Sequence, residues 1–266
     1  MDASGVLDGK SVIVTGGARG LGAAMAAALL AAGARVVIAD INPEVDSRLE
    51  ANGDRIKIIK ADVTDPSDVS MVAKLCVNTY GGIDALVNNA GVLMREVRKR
   101  IQKPEGRISF WEVDSETMRF FINVHVVGSF QMTKAVLPFM LEKGVGRIIT
   151  VTTSFRTMLG PGRTPYGPAK AAMEALATVM GRDLENTGIT VNVLIPGGPA
   201  RESLSIPVGQ GRIDREIMGP PIVLLVSHQS DGVTGKRFIA SLWDPKLEPN
   251  DAQKLAGSNI AWDDAT

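Results

Sequence analysis

Short β-branched runs alternate with helix-length stretches along most of the chain, and no other feature constrains the fold as much. The runs are Ser11 to Thr15 (SVIVT), Arg35 to Ala39 (RVVIA), Ile56 to Ile59 (IKII), Ala85 to Val87, Arg147 to Val151 (RIITV), Thr190 to Ile195 (TVNVLI) and Arg237 to Ala240 (RFIA). Between them the apolar spacing predicts helices near residues 20 to 33, 65 to 80, 115 to 143, 166 to 186 and 214 to 227. Strand, helix and strand in strict succession make βαβ units, which build a parallel sheet with helices on both faces. The prediction is one α/β domain over residues 1–266, a doubly wound, seven-stranded parallel sheet. No Pro/Gly/Ser-rich linker, internal repeat or low-complexity tract divides it.

Two stretches break the rhythm. Residues 94–112 (MREVRKRIQKPEGRISFWE) form a basic insert, with six basic residues against three acidic ones, and are long for a strand-to-helix connection. Residues 198–213 (GPARESLSIPVGQGRI) are rich in Gly, Pro and Ser and read as a substrate loop. A polar tail follows from Asp244 to the end of the chain, residues 244–266.

Charge and cysteine content narrow the function. The 29 Lys plus Arg balance 29 Asp plus Glu, so no global basic excess offers itself to nucleic acid or an anionic membrane. The single cysteine, Cys76, excludes an internal disulfide and sits in an apolar-periodic stretch as a small core residue. Two histidines far apart, His125 and His228, make a His-rich metal site a poor expectation. With no apolar signal core at the N-terminus and no run of the ~20 apolar residues a membrane span needs, the expected compartment is the reducing cytoplasm.

The chemistry-bearing residues follow the strands. Thr15-Gly16-Gly17-Ala18-Arg19-Gly20-Leu21-Gly22 joins the first strand to an Ala-rich helix. Glycines at 16, 20 and 22 allow a tight turn, a close approach to a pyrophosphate and close helix-on-sheet packing, while the helix N-terminus attracts phosphate. Asp40, at the end of the second strand, suits the adenosine ribose hydroxyls and repels a 2′-phosphate, favouring NAD over NADP; Arg19 in the glycine loop argues the other way. Asp62 and Val63 end the third strand, where a carboxylate and amides suit adenine or simply make a turn. Asn88-Asn89-Ala90-Gly91 ends the fourth, with side chains able to tie strand ends together and small residues that leave room for a flat ring or ribose. Tyr166-Gly167-Pro168-Ala169-Lys170 follows Thr152-Thr153-Ser154. Residues four apart share a helix face, so the Lys170 ammonium is expected beside the Tyr166 phenol, lowering its pKa and making it a general acid or base.

This ordered series, TGGARGLG, Asp40, the ADV of residues 61–63, NNAG, a Thr/Ser strand end, Tyr166 with Lys170, and VNVLIPGG at 191–198, resembles the short-chain dehydrogenase/reductase family from about residue 8 to residue 240. The resemblance implies a single-domain Rossmann fold and an NAD cofactor. Gly16, Ala18, Arg19, Gly20, Leu21 and Gly22 would meet its pyrophosphate, Asp40 and Ile41 its adenosine ribose, Asp62 and Val63 its adenine, and Asn89, Ala90 and Gly91 the space beside them. Tyr166 would be the catalytic acid/base, Lys170 would also hold the nicotinamide ribose, and Pro196-Gly197 would lie against the nicotinamide. Self-association into a homodimer or homotetramer through helices near 115–143 and 166–186 is likewise implied.

Three departures qualify it. The family's serine commonly lies thirteen residues before the tyrosine, which is Thr153 here; Ser154 lies twelve before and is preferred as the serine. His125 stands where an asparagine usually completes a catalytic tetrad; histidine also occurs there in the hydroxyacyl-CoA dehydrogenase type, so it serves either a proton relay or only a buried hydrogen bond. After Pro196-Gly197, the run Gly198-Pro199-Ala200-Arg201 lacks the threonine that often contacts the carboxamide and phosphate, leaving that contact to backbone near Pro199.

The reading is an NAD(H)-dependent oxidoreductase acting on a small secondary alcohol or ketone without a metal. Tyr166 moves the hydroxyl proton, Ser154 or Thr153 holds the carbonyl oxygen, and Lys170 holds the ribose and the phenolate charge. A 3-hydroxyacyl-CoA dehydrogenase or 3-oxoacyl reductase is the alternative, motivated by His125 and by a basic insert able to meet CoA phosphates. A dinucleotide-binding sensor without turnover is the reading from another class, and the intact Tyr166/Lys170 pair disfavours it.

Overall fold

A computed structural model of the protein describes residues 5–45, 47–198 and 213–260. In chain order its elements are β1 (Ser11–Thr15), α1 (Gly20–Ala31), β2 (Arg35–Asp40), α2 (Ser47–Glu50), β3 (Ile56–Lys60), α3 (Pro66–Tyr80), β4 (Ala85–Asn88) and α4 (Met94–Arg100). Then come α5 (Ser115–Ile122), a π turn (Asn123–Val127), α6 (Gly128–Lys143), β5 (Gly146–Val151), α7 (Phe155–Met158), α8 (Tyr166–Asp183) and β6 (Ile189–Ile195). The chain closes with α9 (Gly219–Val226), β7 (Lys236–Ile239), α10 (Pro249–Ala256) and β8 (Gly257–Asn259).

The sheet order is β3-β2-β1-β4-β5-β6-β7-β8. The first seven strands run parallel, as the alternation predicts, and β8 pairs antiparallel with β7. The seven-stranded expectation is therefore corrected to eight strands among the described residues. Three polar or small residues, Gly-Ser-Asn, carry no hydrophobic pattern from which a strand is legible, and an edge strand needs none because one side of it meets water. The same correction applies to the tail, whose residues 249–259 are helix and strand. Gly257 permits this: a Cβ there would stand 2.9 Å from Phe238 Cε1.

Strand order reverses between β1 and β4, so the connections leaving their C-terminal ends part to opposite faces and leave a crevice, the usual ligand site of such sheets. Every residue of β1, β4, β5 and β6 is buried. One apolar cluster packs α1 and α9 on one face and the other packs α3, α6 and α8 on the opposite face. Helix α1 is apolar nearly all round because it lies between sheet and α9; a Cβ on Gly219 would sit 3.1 Å from Ala28 Cβ. Helix α3 starts where Asp65 accepts the Ser67 N–H with Pro66 behind it, and stops at Gly81, whose φ of +84° few other residues adopt. Cys76 lies in the second cluster, its thiol pushed up to about 12 by burial, and is chemically inert there. Among the described residues no helix is long and apolar enough to cross a membrane.

The basic insert is a folded lobe. Val97 and Ile108 are buried against Phe121 of α5, forming a third small cluster on which the Tyr166 ring also packs. The Arg98 guanidinium ties the turn together through the carbonyls of Lys103, Pro104 and Gly106 at 3.3, 3.4 and 2.9 Å. Lys103 pairs with Glu112 at 2.6 Å, and Arg100 pairs with Glu96 and lies over the Phe120 ring.

Candidate active site

The glycine loop is shaped by what its side chains would strike. A Cβ on Gly22 would fall on the Gly16 carbonyl oxygen, and one on Gly16 (φ +62°) would meet Ala90 Cα at 2.8 Å. Gly20 (φ +58°), by contrast, faces open space with no atom within 4 Å. Arg19 precedes α1 without a capping side-chain hydrogen bond, and the first turn holds no acidic residue. The amides there are thus left for an outside anion, in the field of the helix dipole. Asn89 fastens the loop: Nδ2 donates to the Thr15 and Gly16 carbonyls at 3.0 and 2.9 Å, and Thr15 Oγ1 accepts the amides of Asn89 and Ala90 at 3.0 Å each. These bonds clamp β1 to β4 at the point where strand order reverses.

Asp40 lies at the loop's edge, almost wholly buried, accepting the Ala18 N–H at 3.1 Å and the Asn42 N–H at 3.0 Å. Arg19 and Asp40, which the sequence sets at odds, form a pair: Arg19 Nη2 stands 3.8 Å from Asp40 Oδ1. Ile41 is exposed beside them. Asp62 is committed through Oδ1 to the Thr64 amide and hydroxyl, both at 2.8 Å, while Val63 packs under Gly128, where a Cβ would come within 2.6 Å.

Strand β5 delivers Thr153 and Ser154, and α8 delivers Tyr166 and Lys170. The two hydroxyls part company. Thr153 lies beside the Tyr166 phenol, close enough for its hydroxyl to pull the phenol's pKa down. Ser154 caps α7, its Oγ accepting the Thr157 N–H at 3.3 Å and lying 3.1 Å from Thr157 Oγ1. Lys170, 4% exposed, donates to the Val151 carbonyl at 2.8 Å and lies 6.0 Å from the Tyr166 ring centroid. Burial pushes its pKa down to about 7, with Glu174 pulling it back up. Burial also raises the Tyr166 phenol, against the Thr153 hydrogen bond and the Arg163 charge. The expectation that Lys170 lowers the phenol is therefore not met in the protein alone: a dry surrounding penalises the phenolate more than its neighbours repay, and penalises the ammonium too.

His125 is fully buried in the π turn, whereas Asn123 two residues earlier is exposed. Its Nε2 lies 3.0 Å from the Val92 carbonyl and 3.3 Å from the Val92 amide nitrogen, meeting one or the other according to its tautomer, and its ring meets the Tyr166 ring edge-on at 5.7 Å. Burial and the Lys170 charge lower its pKa to about 3, so it is neutral at ordinary pH. Gly91 makes room for it, since a Cβ there would stand 2.5 Å from His125 Cε1. The Pro196-Gly197 turn is pinned by the Ser241 N–H on the Pro196 carbonyl at 3.1 Å, with Gly197 at φ +91°. Pro199 and nearly all of the 198–213 loop lie outside the described residues. Glu174 and Arg237, buried behind Thr153 and Lys170, are marked in the sequence only by a charge on the apolar face of α8 and another inside a strand run.

A parallel sheet with a glycine-lined helix N-terminus at its switch point and a carboxylate at the end of the neighbouring β2, next to a tyrosine backed by a buried lysine, defines an oxidoreductase of the nicotinamide-dinucleotide-binding class. The family model for short chain dehydrogenases matches residues 10–203, and the chain belongs to that family. It is 33% identical over 208 residues to the oxidoreductase UcpA of Escherichia coli (strain K12), covering 76% of this chain and 74% of that protein. It is 34% identical over 192 residues to the 3-oxoacyl-[acyl-carrier-protein] reductase FabG of Vibrio cholerae, covering 72% and 74%. It is also 34% identical over 213 residues to the 1-deoxy-11-beta-hydroxypentalenate dehydrogenase of Streptomyces exfoliatus, covering 77% and 74%.

Proposed function

We propose that the protein is an NAD(H)-preferring oxidoreductase that interconverts a small secondary alcohol and its ketone. The observation that carries the reading is the buried Lys170, held on the Val151 carbonyl at 2.8 Å and 6.0 Å from the Tyr166 ring centroid, with Thr153 beside the phenol. Gly16, Ala18, Gly20, Leu21 and Gly22 would hold the cofactor's pyrophosphate, Asp40 the adenosine ribose, Asp62 and Val63 the adenine, and Lys170 the nicotinamide ribose. The open space at Gly20 and the uncapped α1 fit that group. The bound nicotinamide supplies the hydride acceptor or donor. Tyr166 takes the proton from the substrate hydroxyl, or returns it in reduction. Thr153 donates to the substrate oxygen as charge grows there, which supports placing the catalytic hydroxyl at Thr153 in preference to Ser154. His125, neutral and bound to the backbone, supports the Tyr166 ring and carries no proton as a cation.

Asp40 favours NAD, because its buried carboxylate repels a 2′-phosphate and occupies the Arg19 charge that would otherwise meet one. Asp40→Ser should raise kcat/KM with NADP relative to NAD at least ~10-fold, the ratio expected when a like charge worth about 1.4 kcal/mol is removed. An unchanged ratio would remove the basis for the NAD assignment. The basic-insert motive for the hydroxyacyl-CoA alternative is weakened and not removed: Arg98, Arg100 and Lys103 are held inside the lobe, while Arg95, Lys99 and Arg107 are exposed on it. A cytoplasmic homo-oligomer completes the proposal, supported by exposed Phe130 on α6 and Val179 on α8. The decisive experiment screens secondary alcohols and hydroxyacyl-CoA esters with NAD and NADP, then repeats the best reaction with Tyr166→Phe. The variant should bind NAD and lose turnover by ~10²-fold or more; undiminished NADH formation would end the reading.

A further inference from the structure

Behind Thr153 and Lys170 lies a charged pair with no part in the hydride-transfer scheme. Arg237 on β7 and Glu174 on α8 are 3% and 1% exposed. Arg237 Nε lies 3.1 Å from Glu174 Oε1. The same oxygen accepts the Thr152 hydroxyl at 2.5 Å, and Arg237 Nη2 donates to the Thr153 carbonyl at 2.9 Å. Phe155 covers the guanidinium, its ring centroid 4.3 Å from Arg237 Cζ. Lys170 meanwhile grips the Val151 carbonyl at 2.8 Å. Val151, the last residue of β5, and Thr152 and Thr153 just past it are thus each held by one member of a Lys–Glu–Arg row.

Stability alone is a weak reason for such a row, because desolvating an ion pair costs about as much as its attraction returns. Its placement is a stronger one. The carbonyl that Arg237 holds belongs to Thr153, the residue beside the Tyr166 phenol. Glu174 is one helical turn past Lys170. The titratable groups facing Lys170 are Tyr166 and Glu174 on its own helix and His125 from the π turn, and of these Glu174 alone supplies negative charge to a buried ammonium.

We propose that Arg237 and Glu174 are positioning residues for the reaction: Arg237 fixes the Thr153 backbone so that its hydroxyl stays beside the phenol, and Glu174 anchors Thr152 and sets its negative charge one helical turn from Lys170. The proposal deepens the alcohol–ketone reading and rests on it for its kinetic arm only.

The test uses the full-length enzyme. Lysine isotope-labelled at Cε lets NMR follow the Lys170 titration, assigned by its loss in Lys170→Arg, and it requires no substrate. Glu174→Gln is expected to move that midpoint down by ~1 pH unit or more, the usual effect of removing an adjacent opposite charge. Arg237→Lys retains the buried charge but lacks a second nitrogen for the Thr153 carbonyl. It should leave the Lys170 midpoint in place and NAD affinity within about 3-fold, and cut kcat about 10- to 100-fold, as misplaced catalytic groups do. An unmoved Lys170 midpoint in Glu174→Gln, or an unchanged kcat in Arg237→Lys, overturns the proposal. If Glu174→Gln does not fold, Arg237→Lys decides. Failure of the alcohol–ketone reading itself is distinguished by Tyr166→Phe retaining activity while the Lys170 titration still shifts.

Discussion

Thr153 and Ser154 carry the same functional group one residue apart, and the backbone gives them different work. Thr153 lies two residues past the end of β5 with its hydroxyl beside the phenol, while Ser154 has already turned to cap α7. Thr153→Ala should therefore lower kcat by ~10²-fold or more, the scale for losing one preorganised donor to a developing oxyanion. Ser154→Ala should instead cost about 1 kcal/mol of stability as a lost helix cap. Steady-state kinetics and thermal unfolding of the two variants check this, and the opposite pattern would restore Ser154. Sequence spacing named both residues, and a family preference for serine pointed to Ser154. What separates them is a turn of the backbone that leaves no mark in residue type. The Tyr166/Lys170 pair was legible because helical geometry alone brings residues four apart together, but its charge state was not, since burial is a property of everything packed around it.

At the scale of elements, the insert after β4 tests how far charge predicts structure. Its density of Lys and Arg reads as a solvated loop, yet Met94, Val97 and Ile101 fall at helical spacing and face inward. Arg98→Ala should release the 103–106 turn by removing three carbonyl contacts, at a cost of about 1.5 to 3 kcal/mol for hydrogen bonds to a charged group. Limited proteolysis within residues 101–107 should become faster, with slower turnover because the lobe's apolar cluster supports Tyr166; a cleavage rate equal to that of the unaltered protein would mean that the turn holds without Arg98. The seven expected strands were readable within a residue, as each buries a run whose periodicity is written in the sequence, whereas α8 stops three residues short of the expected 186 and α9 begins five residues after the expected 214. The π turn was not, because nothing in NVHVV distinguishes five residues per hydrogen-bonded turn from the ordinary count.

For the whole molecule, His125 links the site to acid stability. Its folded pKa of about 3 lies below the ordinary 6.5, so the unfolded chain binds a proton that the native protein refuses. The stability from burying the neutral ring is complete above about pH 6.5 and is lost as pH falls toward about 3. His125→Asn should flatten that loss, moving the acid unfolding midpoint to lower pH by circular dichroism; coincident curves would show that the ring titrates freely. Heat acts on a different part of the structure. Arg237 pairs in register with Ser258 of β8, so the last residues of the sheet lie alongside the strand that reaches Thr153. An edge of three residues opens at a smaller free energy than the core. Warming should therefore fray the C-terminal segment first and slacken the hold on Thr153 while the rest of the fold is still intact, giving the site a lower working ceiling than the melting of the protein.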